Sequence, residues 1–219
     1  MTVERSKVLV CFAVKEEARP FQRICRENSG DQDASAAVLV TGMGSVNARK
    51  TLQQALTTMT PKLVVSSGFA GGLDPQLKTG DLIFQAPAPA DIEARLQSIG
   101  AKPVVFHHSA QVASTAAAKS RLRRDSGADA VEMESDALAA VCRKAGIPCL
   151  VLRVVLDTAA EDLPLDFNTV MDEQQRIKPG KLALVLARSP GKIGALLRLQ
   201  RQSDMAARIL AQGLVQLLG

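Results

Sequence analysis

Three carboxylates stand where the sequence could support acid–base chemistry. Glu17 closely follows the apolar run at 8–14, Asp157 ends the apolar run at 148–156, and Glu134 lies between them in the chain. A carboxylate at the end of a strand can polarise water or orient a sugar hydroxyl. A carboxyl group that ends a long apolar strand is costly to bury and can have a raised pKa, which suits a proton donor. The three acids therefore indicate one crevice for acid–base chemistry, provided that the fold gathers them.

Each of these polar residues also has a simpler structural interpretation. Glu17 could lie in the solvated first turn of a helix, where acids favour the positive end of the helix dipole. Asp157 could be the N-cap of the next helical segment. His107 and His108 could contact a base or a sugar, or they could belong to a polar surface turn. These alternatives stay open on the sequence alone.

Two glycine-rich segments, 41–45 and 68–72, follow apolar runs and predict turns close to a ligand. Glycine lets the backbone approach a ligand closely, and free N–H groups at the start of the next helix can bind an anion. Neither segment matches the GxGxxG pattern of dinucleotide sites or a P-loop. Tight structural turns are therefore the competing interpretation.

The elements that must position these residues alternate along the chain. Continuous apolar runs predict buried strands, and segments with helical periodicity separate them. The pattern predicts an α/β fold, with a mostly parallel or mixed sheet covered by helices. Ligands of open α/β sheets bind beyond the carboxyl ends of the strands. The predicted strands are 8–14, 37–41, 63–67, 81–85, 104–106 and 148–156, and the predicted helices are 15–26, 46–57, 92–99, 113–123 and 134–145, with a polar turn at 28–35 and a short loop at 87–89.

Length and composition predict a single domain over 1–219 with one substantial core, because 47% of the residues are hydrophobic. The chain has no Trp, no Tyr and six Phe, which argues against a protein that stacks on nucleic-acid bases. Its four cysteines form no CxxC pair, so we expect no metal site and a reducing compartment. No apolar run reaches membrane-spanning length, and the cytoplasm is the expected location.

The formal net charge of +5 comes from the C-terminal extension at 178–219. Leucines and an isoleucine recur there at helical spacing between basic residues, and such a helix could lie on the anionic cytoplasmic face of a membrane. The alternative is a C-terminal helix that packs on the rest of the domain and exposes a basic face to solvent. The charged residues of the extension are Lys178, Lys181, Arg188, Lys192, Arg198, Arg201 and Arg208, against the single acid Asp204.

Four ordered blocks give the chain a resemblance to a known family. They read AVKEEA, VTGMGSVNA, SGFAGGLDPQLKTGDLI and AVEMESDALAAVCRKAGIPCLVLRVVLDTA, and VEMES followed by a strand that ends in Asp is the most specific part. Together they resemble the purine nucleoside phosphorylase and nucleosidase superfamily. The resemblance implies a three-layer α/β/α fold, a homo-oligomer and cleavage of the bond between a purine and a ribosyl group. It implies no cofactor, with inorganic phosphate as a possible co-substrate.

The resemblance also implies roles for individual residues. Asp157 matches the acid that donates a proton to purine N7, and Glu17 matches the carboxylate that activates water. Glu134 matches the acid that binds the ribose hydroxyls, and Met133 would pack against the ribose face. The segment from Gly68 to Gly71 would form the floor of the site. The implied substrate-binding residues are Glu132, Met133, Glu134, Gly68, Phe69, Ala70 and Gly71.

Two departures from the family pattern bear on the nucleophile. Phe69 stands where well-known members have a serine that contacts phosphate or water, and Leu156 stands where many have a serine before the acid. Arg19 and Arg49 are possible substitutes for the missing phosphate contact. Water and phosphate therefore both remain open, and so does an inactive homologue that binds a nucleoside or a lipid without turnover.

The substrate is expected to be an adenosyl compound with a bulky apolar 5′ group. The ending of the chain resembles phosphorylases associated with hopanoid biosynthesis, which implies adenosylhopane as the substrate. The short region at 90–114 agrees with this, since its only aromatic residue is Phe106 and it offers little to cover the 5′ side of a ribose. The alternative is a nucleosidase for methylthioadenosine or adenosylhomocysteine.

Overall fold

A computed structural model describes residues 8–28, 36–85, 90–172, 175, 177–189 and 191–219. The polar turn expected at 28–35 and the loop expected at 87–89 lie outside these residues, apart from Asn28 at the end of the first helix. The strands are β1 (Val8–Phe12), β2 (Ala36–Val40), β3 (Leu63–Gly72), β4 (Leu82–Gln85), β5 (Lys102–Val104), β6 (Phe106–His108), β7 (Ala130–Glu132) and β8 (Cys149–Asp157). The helices are α1 (Lys15–Asn28), α2 (Ser45–Ala55), α3 (Ala90–Ser98), α4 (Ala116–Ser126), α5 (Ser135–Ala145), α6 (Phe167–Val170), α7 (Pro179–Arg188) and α8 (Lys192–Leu218).

The eight strands form one mixed sheet, as the sequence predicts. Its main path runs β2-β1-β3-β8-β4-β5, and β6 and β7 extend from the end of β3. The four strands β2, β1, β3 and β8 are parallel, whereas β4 pairs antiparallel with β8. Because β3 and β8 lie side by side at the centre and run in the same direction, their carboxyl ends meet at one edge.

Helices cover both faces of this sheet, which confirms the three-layer architecture. On one face, alternate residues of the central strands pack with α1 and α8. On the other face, the intervening residues pack with α2 and α5. Both clusters follow from the period-2 alternation of side chains in a strand, so the continuous apolar runs supply two cores at once.

The glycine-rich segment at 68–72 is not a turn, because β3 continues through it as far as Gly72. The predicted strand at 104–106 is in fact two short strands, β5 and β6, which pair with different neighbours. A further short strand, β7, precedes α5 and pairs antiparallel with the end of β3. The short strands therefore extend the sheet on the side where β3 ends.

The C-terminal extension forms α7 and α8, and the two halves of α8 differ. The second half packs on the sheet through buried Ala206, Leu210 and Leu214, which confirms the packed-helix interpretation for that half. The first half exposes Ile193 and Leu197. Across the described residues, no helix combines the length and the apolar character needed to cross a bilayer.

Candidate functional site

The centre of the candidate site is Arg153, which is not among the residues predicted from the sequence. It lies in the middle of β8 and its side chain is only 1% exposed. Its Nη2 atom donates to Glu132 Oε2 at 2.5 Å and to Ser66 Oγ at 3.1 Å, and Nη1 donates to the carbonyl of Ser67 at 3.1 Å. A guanidinium this deeply buried needs opposite charge around it. The signal in the sequence was a lone arginine inside the apolar run PCLVLRVVL.

Glu17 is one of the carboxylates near this guanidinium. Its Oε2 accepts hydrogen bonds from the backbone N–H groups of Ala13 and Val14 at 3.0 and 3.1 Å, and Oε1 accepts from Phe69 N–H at 2.9 Å. Glu17 is buried, so the solvated-turn interpretation is wrong. Burial raises the pKa of Glu17, while Arg153 and the three backbone donors act in the opposite direction.

Gly68 lets the backbone of β3 pass between these two charged groups. Its φ is +145°, and a Cβ atom built on it would lie 2.5 Å from Arg153 Nη1 and 2.9 Å from Glu17 Oε1. Both distances are too short for a real Cβ. The expected close approach of a glycine backbone therefore occurs, but its partners are the protein's own charged side chains.

Glu132 lies at the end of β7 and anchors the guanidinium. Its Oε2 accepts from Arg153 and from the N–H groups of Glu134 and Ser135, and its Oε1 contacts His108 Nδ1 at 2.5 Å and accepts from Ser135 Oγ at 2.8 Å. Burial acts to raise the pKa of Glu132, but Arg153, His108 and the other donors lower it to about 2. Because Oε2 has three protein donors and Oε1 has two protein partners, Glu132 holds other residues of the site in place.

His108 belongs to strand β6, so neither histidine forms the polar surface turn that the sequence allowed. The hydrogen bond to Glu132 raises the pKa of His108, and burial partly opposes that shift. His107 is the central residue of the same strand and is half-buried. The structure therefore places His108 as a neighbour of the acidic cluster.

Glu134 immediately precedes α5 and faces the same guanidinium. Its Oε1 accepts from Gly44 N–H at 2.7 Å, and its Oε2 lies 3.6 Å from Arg153 Nη2. Burial raises the pKa of Glu134 to about 7, against the attraction of Arg153 and with added repulsion from Glu132. The N–H of Gly44 was a candidate anion donor at the start of α2. In the structure, it binds the carboxylate of Glu134.

Asp157 lies at the last position of β8 and is not a helix N-cap. Its Oδ2 forms a close ion pair with Nζ of Lys119, a fully buried residue of α4 that was not predicted from the sequence either. Burial raises the pKa of Asp157, and the charge of Lys119 acts to lower it. A Cβ atom built on Gly71 would lie 3.5 Å from Oδ2 and 3.8 Å from Oδ1, so Gly71 passes directly beside the carboxyl group.

The residue before this acid is tied to the C-terminal extension. Gln202 of α8 donates from Nε2 to the carbonyl of Leu156 at 2.6 Å and to Thr79 Oγ1 at 3.2 Å. The helix also lines a cavity of about 180 Å³ beside Asp157, to which Arg198 contributes. The extension therefore supports the acid from the side of α8.

The structure gathers the predicted acids in two groups along one stretch of β3. Glu17 and Glu134 face Arg153 near Gly68, and Asp157 lies beside Gly71 with Lys119. This stretch of β3 and the adjoining end of β8 form the candidate site.

The remaining expected site residues take different places. Met133 is half-buried and stands between Glu132 and Glu134 in the sequence. Phe69 donates its N–H to Glu17, but its side chain packs against the core on the α1 and α8 face. Ala70 is buried in a separate apolar cluster, together with Phe106. Since Phe106 is buried there, it is not available to stack on a base.

The arginines considered as phosphate contacts, Arg19 and Arg49, are exposed on α1 and α2. The buried cations of the site are Arg153 and Lys119 instead. Within the part of the chain that the structure describes, no three His, Cys, Asp or Glu side chains cluster in a way that could hold a metal ion.

Known proteins resemble this chain in sequence. The 5′-methylthioadenosine/S-adenosylhomocysteine nucleosidase of Mycobacterium tuberculosis is 27% identical over 201 residues, which cover 67% of this chain and 79% of that protein. The enzyme of the same name from Geobacillus kaustophilus is 27% identical over 183 residues, which cover 68% of this chain and 78% of that protein. Both relatives therefore align with most of their own length.

Solved structures share the fold. A Helicobacter pylori 5′-methylthioadenosine/S-adenosyl homocysteine nucleosidase superimposes with a TM-score of 0.69 and 19% identity, covering 99% of this chain and 98% of that chain. The futalosine hydrolase of Helicobacter pylori superimposes with a TM-score of 0.65 and 19% identity, covering 98% of this chain and 97% of that chain. At this identity, the likeness establishes the architecture.

The family itself follows from the sequence. The model of the phosphorylase superfamily matches residues 22–85 and 84–187, which is well over half of the chain and includes Glu132, Glu134 and Asp157. The resemblance found in the four sequence blocks is thereby confirmed at the level of the superfamily. This protein belongs to the phosphorylase superfamily.

Proposed function

We propose that this protein is an enzyme that cleaves the N-glycosidic bond of a purine nucleoside and releases adenine. The observation that carries the proposal is Asp157, a buried carboxyl group with a raised pKa at the carboxyl end of the central strand. A buried carboxyl group whose pKa is raised can act as a general acid. The names of the relatives, which are nucleosidases, support the same reaction class.

In the proposed reaction, three acidic residues have separate roles. As the bond between C1′ and N9 breaks, its electrons pass to the purine, and Asp157 donates a proton to N7 so that the base leaves neutral. Glu134 accepts a hydrogen bond from the ribose hydroxyls, which strengthens as positive charge develops on the sugar. Glu17 takes a proton from the attacking water, and the nearby Arg153 supports its ionised form.

We infer that water is the nucleophile. Glu17 is the residue that the resemblance assigns to water activation, and it is buried within the site. The helix-start N–H of Gly44, which could bind an anion, is used by Glu134. Arg19 and Arg49 are exposed, and Phe69 offers no hydroxyl in place of the usual serine. The alternative is phosphate as the attacking group, and release of a ribosyl 1-phosphate would identify it.

We propose an adenosyl substrate with a large apolar 5′ group, with adenosylhopane as the specific candidate. The burial of Phe106 supports an open 5′ side, because its ring is not part of a cover over the sugar. The relatives named for methylthioadenosine and S-adenosylhomocysteine support a second candidate, in which those small nucleosides are the substrates.

We also propose that the extension contacts an anionic membrane surface on the cytoplasmic face. Leu184 of α7 and Ile193 and Leu197 of α8 are each about half exposed. Basic residues such as Lys192 and Arg198 are exposed near them in the sequence. Apolar side chains flanked by basic ones suit a lipid surface. Assembly into a homo-oligomer stays a prediction from the resemblance.

The test of the proposed reaction is the variant Asp157→Asn. Removal of a general acid should lower kcat for adenine release about 10²–10⁴-fold while the protein remains folded. The matched control is Asp125→Asn, which changes an exposed aspartate of α4 and should leave kcat unchanged. Near wild-type turnover in D157N would show that another group protonates the base.

The substrate and the nucleophile are resolved in one assay with the wild-type protein. Methylthioadenosine, adenosylhomocysteine and adenosylhopane are each incubated with and without phosphate, and the products are analysed. Ribosyl products without phosphate would support water, and ribosyl 1-phosphates would support phosphate. Tight adenine binding without turnover of any nucleoside would indicate the inactive homologue.

A further inference from the structure

Lys119 is the cation that contacts Asp157. It is fully buried, although most of α4 around it is exposed. Its Nζ contacts Asp157 Oδ2 and donates to the carbonyls of Thr158 at 2.7 Å and Glu161 at 2.8 Å. An ammonium group has three protons, so these three acceptors use its full hydrogen-bonding capacity. Its position is therefore defined by Asp157 and by the turn that follows it.

We propose that Lys119 is a positioning residue for Asp157, which it holds through one carboxylate oxygen and through the backbone at 158–161. The inference rests on the proposed function, since it assigns Lys119 a part in the same proton transfer. With Oδ2 bound to the ammonium group, Oδ1 is the oxygen left to meet the purine. The carboxyl group is thus oriented before the substrate arrives.

The charge of Lys119 also has a role in the proton transfer. When Asp157 gives up its proton, a carboxylate forms in a buried place, where an unpaired charge is costly. The ammonium group stands in contact with that carboxylate and stabilises it without any rearrangement. Without Lys119, Asp157 would hold its proton more tightly and would be a weaker acid.

Other charged groups lie around Asp157. The Glu161 carboxylate follows in the chain and acts to raise the pKa of Asp157. Asp162 and Arg198 line the cavity beside it, from the same turn and from α8 respectively. Among these groups, Lys119 is the one that forms an ion pair with Asp157.

The test compares K119M with K119R in adenine release from a nucleoside that the wild-type protein turns over. The readouts are kcat, KM and the pH profile of kcat. For K119M we expect kcat to fall about 10-fold or more with little change in KM, and the alkaline limb of the profile to move up by about 1 pH unit or more, because an opposite charge at this range shifts a carboxyl pKa by about 1–3. K119R keeps the charge and should keep the limb near its wild-type position.

The matched control is Lys102→Met, which removes an exposed lysine paired with Asp81 and should leave kcat and the pH profile unchanged. If K119M does not fold, K119Q, which keeps a hydrogen-bond donor but no charge, gives the same comparison. An alkaline limb that stays at the wild-type pH in the neutral variant, with kcat unchanged, would overturn the inference.

A double-mutant cycle separates this inference from the proposed function. If Lys119 acts through Asp157, K119M should cause no further loss of kcat in the D157N background. Independent, multiplying losses would overturn the positioning role while leaving Asp157 as the acid. Wild-type turnover in D157N would instead overturn the assignment of the acid itself.

Discussion

Two glutamates of the site that are two residues apart have opposite pKa shifts. Glu132 has a pKa lowered to about 2, whereas Glu134 has a pKa raised to about 7. Both are buried, and the difference lies in their donors. Glu132 bonds directly to Arg153 and His108, whereas Glu134 lies 3.6 Å from the guanidinium and accepts one backbone hydrogen bond. Glu132 therefore stays ionised, and Glu134 can exchange a proton near neutral pH.

This difference predicts how stability depends on pH. The pKa of Glu134 rises from 4.5 to about 7, so the folded state binds its proton more tightly than the unfolded state. The resulting stabilisation is fully present below pH 4.5 and is lost as pH rises through about 7, which amounts to about 3 kcal/mol at 1.36 kcal/mol per pKa unit. In urea titrations, the unfolding free energy should therefore fall less between pH 4.5 and 7 in Glu134→Gln than in the wild type.

The control for this measurement is Glu16→Gln, an exposed neighbour of Glu17 at the start of α1. It should leave the pH dependence of the unfolding free energy as it is in the wild type. Equal slopes for the wild type and E134Q would contradict the shifted proton affinity of Glu134.

At the residue scale, the sequence predicted the acidic residues of the site better than the basic ones. Glu17, Glu134 and Asp157 could be found because acids next to apolar runs are conspicuous. The partners Arg153 and Lys119 could not be assigned, because they depend on strand register and on the packing of α4. Lys119 stands in the charged stretch AKSRLRRD, where nothing distinguishes a buried lysine from its exposed neighbours.

At the scale of elements, strand β3 makes the site possible. The sequence placed the end of this strand before Gly68, because glycine has a low strand propensity. The strand continues because β8 pairs with it residue by residue, with Gly68 opposite Arg153 and Gly71 opposite Asp157 after an irregularity at Ala70. Long-range pairing thus overrides local preference, and it brings the glycines beside the charged side chains.

The variant Gly68→Ala should disturb the site directly. Its new Cβ would clash with Arg153 and Glu17, and its φ of +145° is unfavourable for alanine. We expect a loss of about 1–3 kcal/mol in unfolding free energy, which is the usual cost of such backbone strain, together with a large loss of kcat. Urea unfolding and adenine release measure the two effects.

The control for this variant is Gly127→Ala. Gly127 also has a positive φ, of +69°, but a Cβ there meets nothing within 4 Å. It should lose stability from the backbone alone and should keep its kcat. Equal kcat in G68A and the wild type would mean that β3 tolerates displacement beside Glu17.

The larger elements were predicted well where the pattern was strong. The runs that became β1, β3 and β8 were identified, and α1 and α5 were placed to within a few residues. The short strands β6 and β7 were not identified separately, because three-residue segments carry too little periodicity. These short strands carry His108 and Glu132, so a part of the site rests on elements that the sequence does not reveal.

At the scale of the whole molecule, helix α8 belongs to two environments. Its second half is part of the core, and its first half is exposed with α7 at the surface. A truncation near residue 189 would remove Leu210 and Leu214 from the core and would test folding instead of membrane binding. Surface substitutions on the exposed half are therefore the appropriate variants.

The membrane proposal predicts that Ile193→Ser combined with Leu197→Ser weakens binding to vesicles that contain anionic lipid. Burial of one such side chain contributes about 1.5–3 kcal/mol, so the double variant should bind at least about 10-fold more weakly. Co-sedimentation with vesicles of neutral and anionic lipid measures the effect. The control is Val105→Ser, an exposed apolar residue outside the extension. Equal binding by all three proteins would remove the membrane contact from the proposal.

The hydrogen bond from Gln202 to Leu156 joins two segments that are distant in the sequence, so the evolution of one constrains the other. The amide lies on the extension, and its acceptor is the residue immediately before Asp157. A chimaera could take its last helix from a relative that lacks this amide. The carbonyl of Leu156 would then lose its hydrogen-bond donor from α8. Selection that preserves Asp157 therefore also constrains the C-terminal helix. We expect substitutions at the end of β8 and in α8 to be correlated across the family.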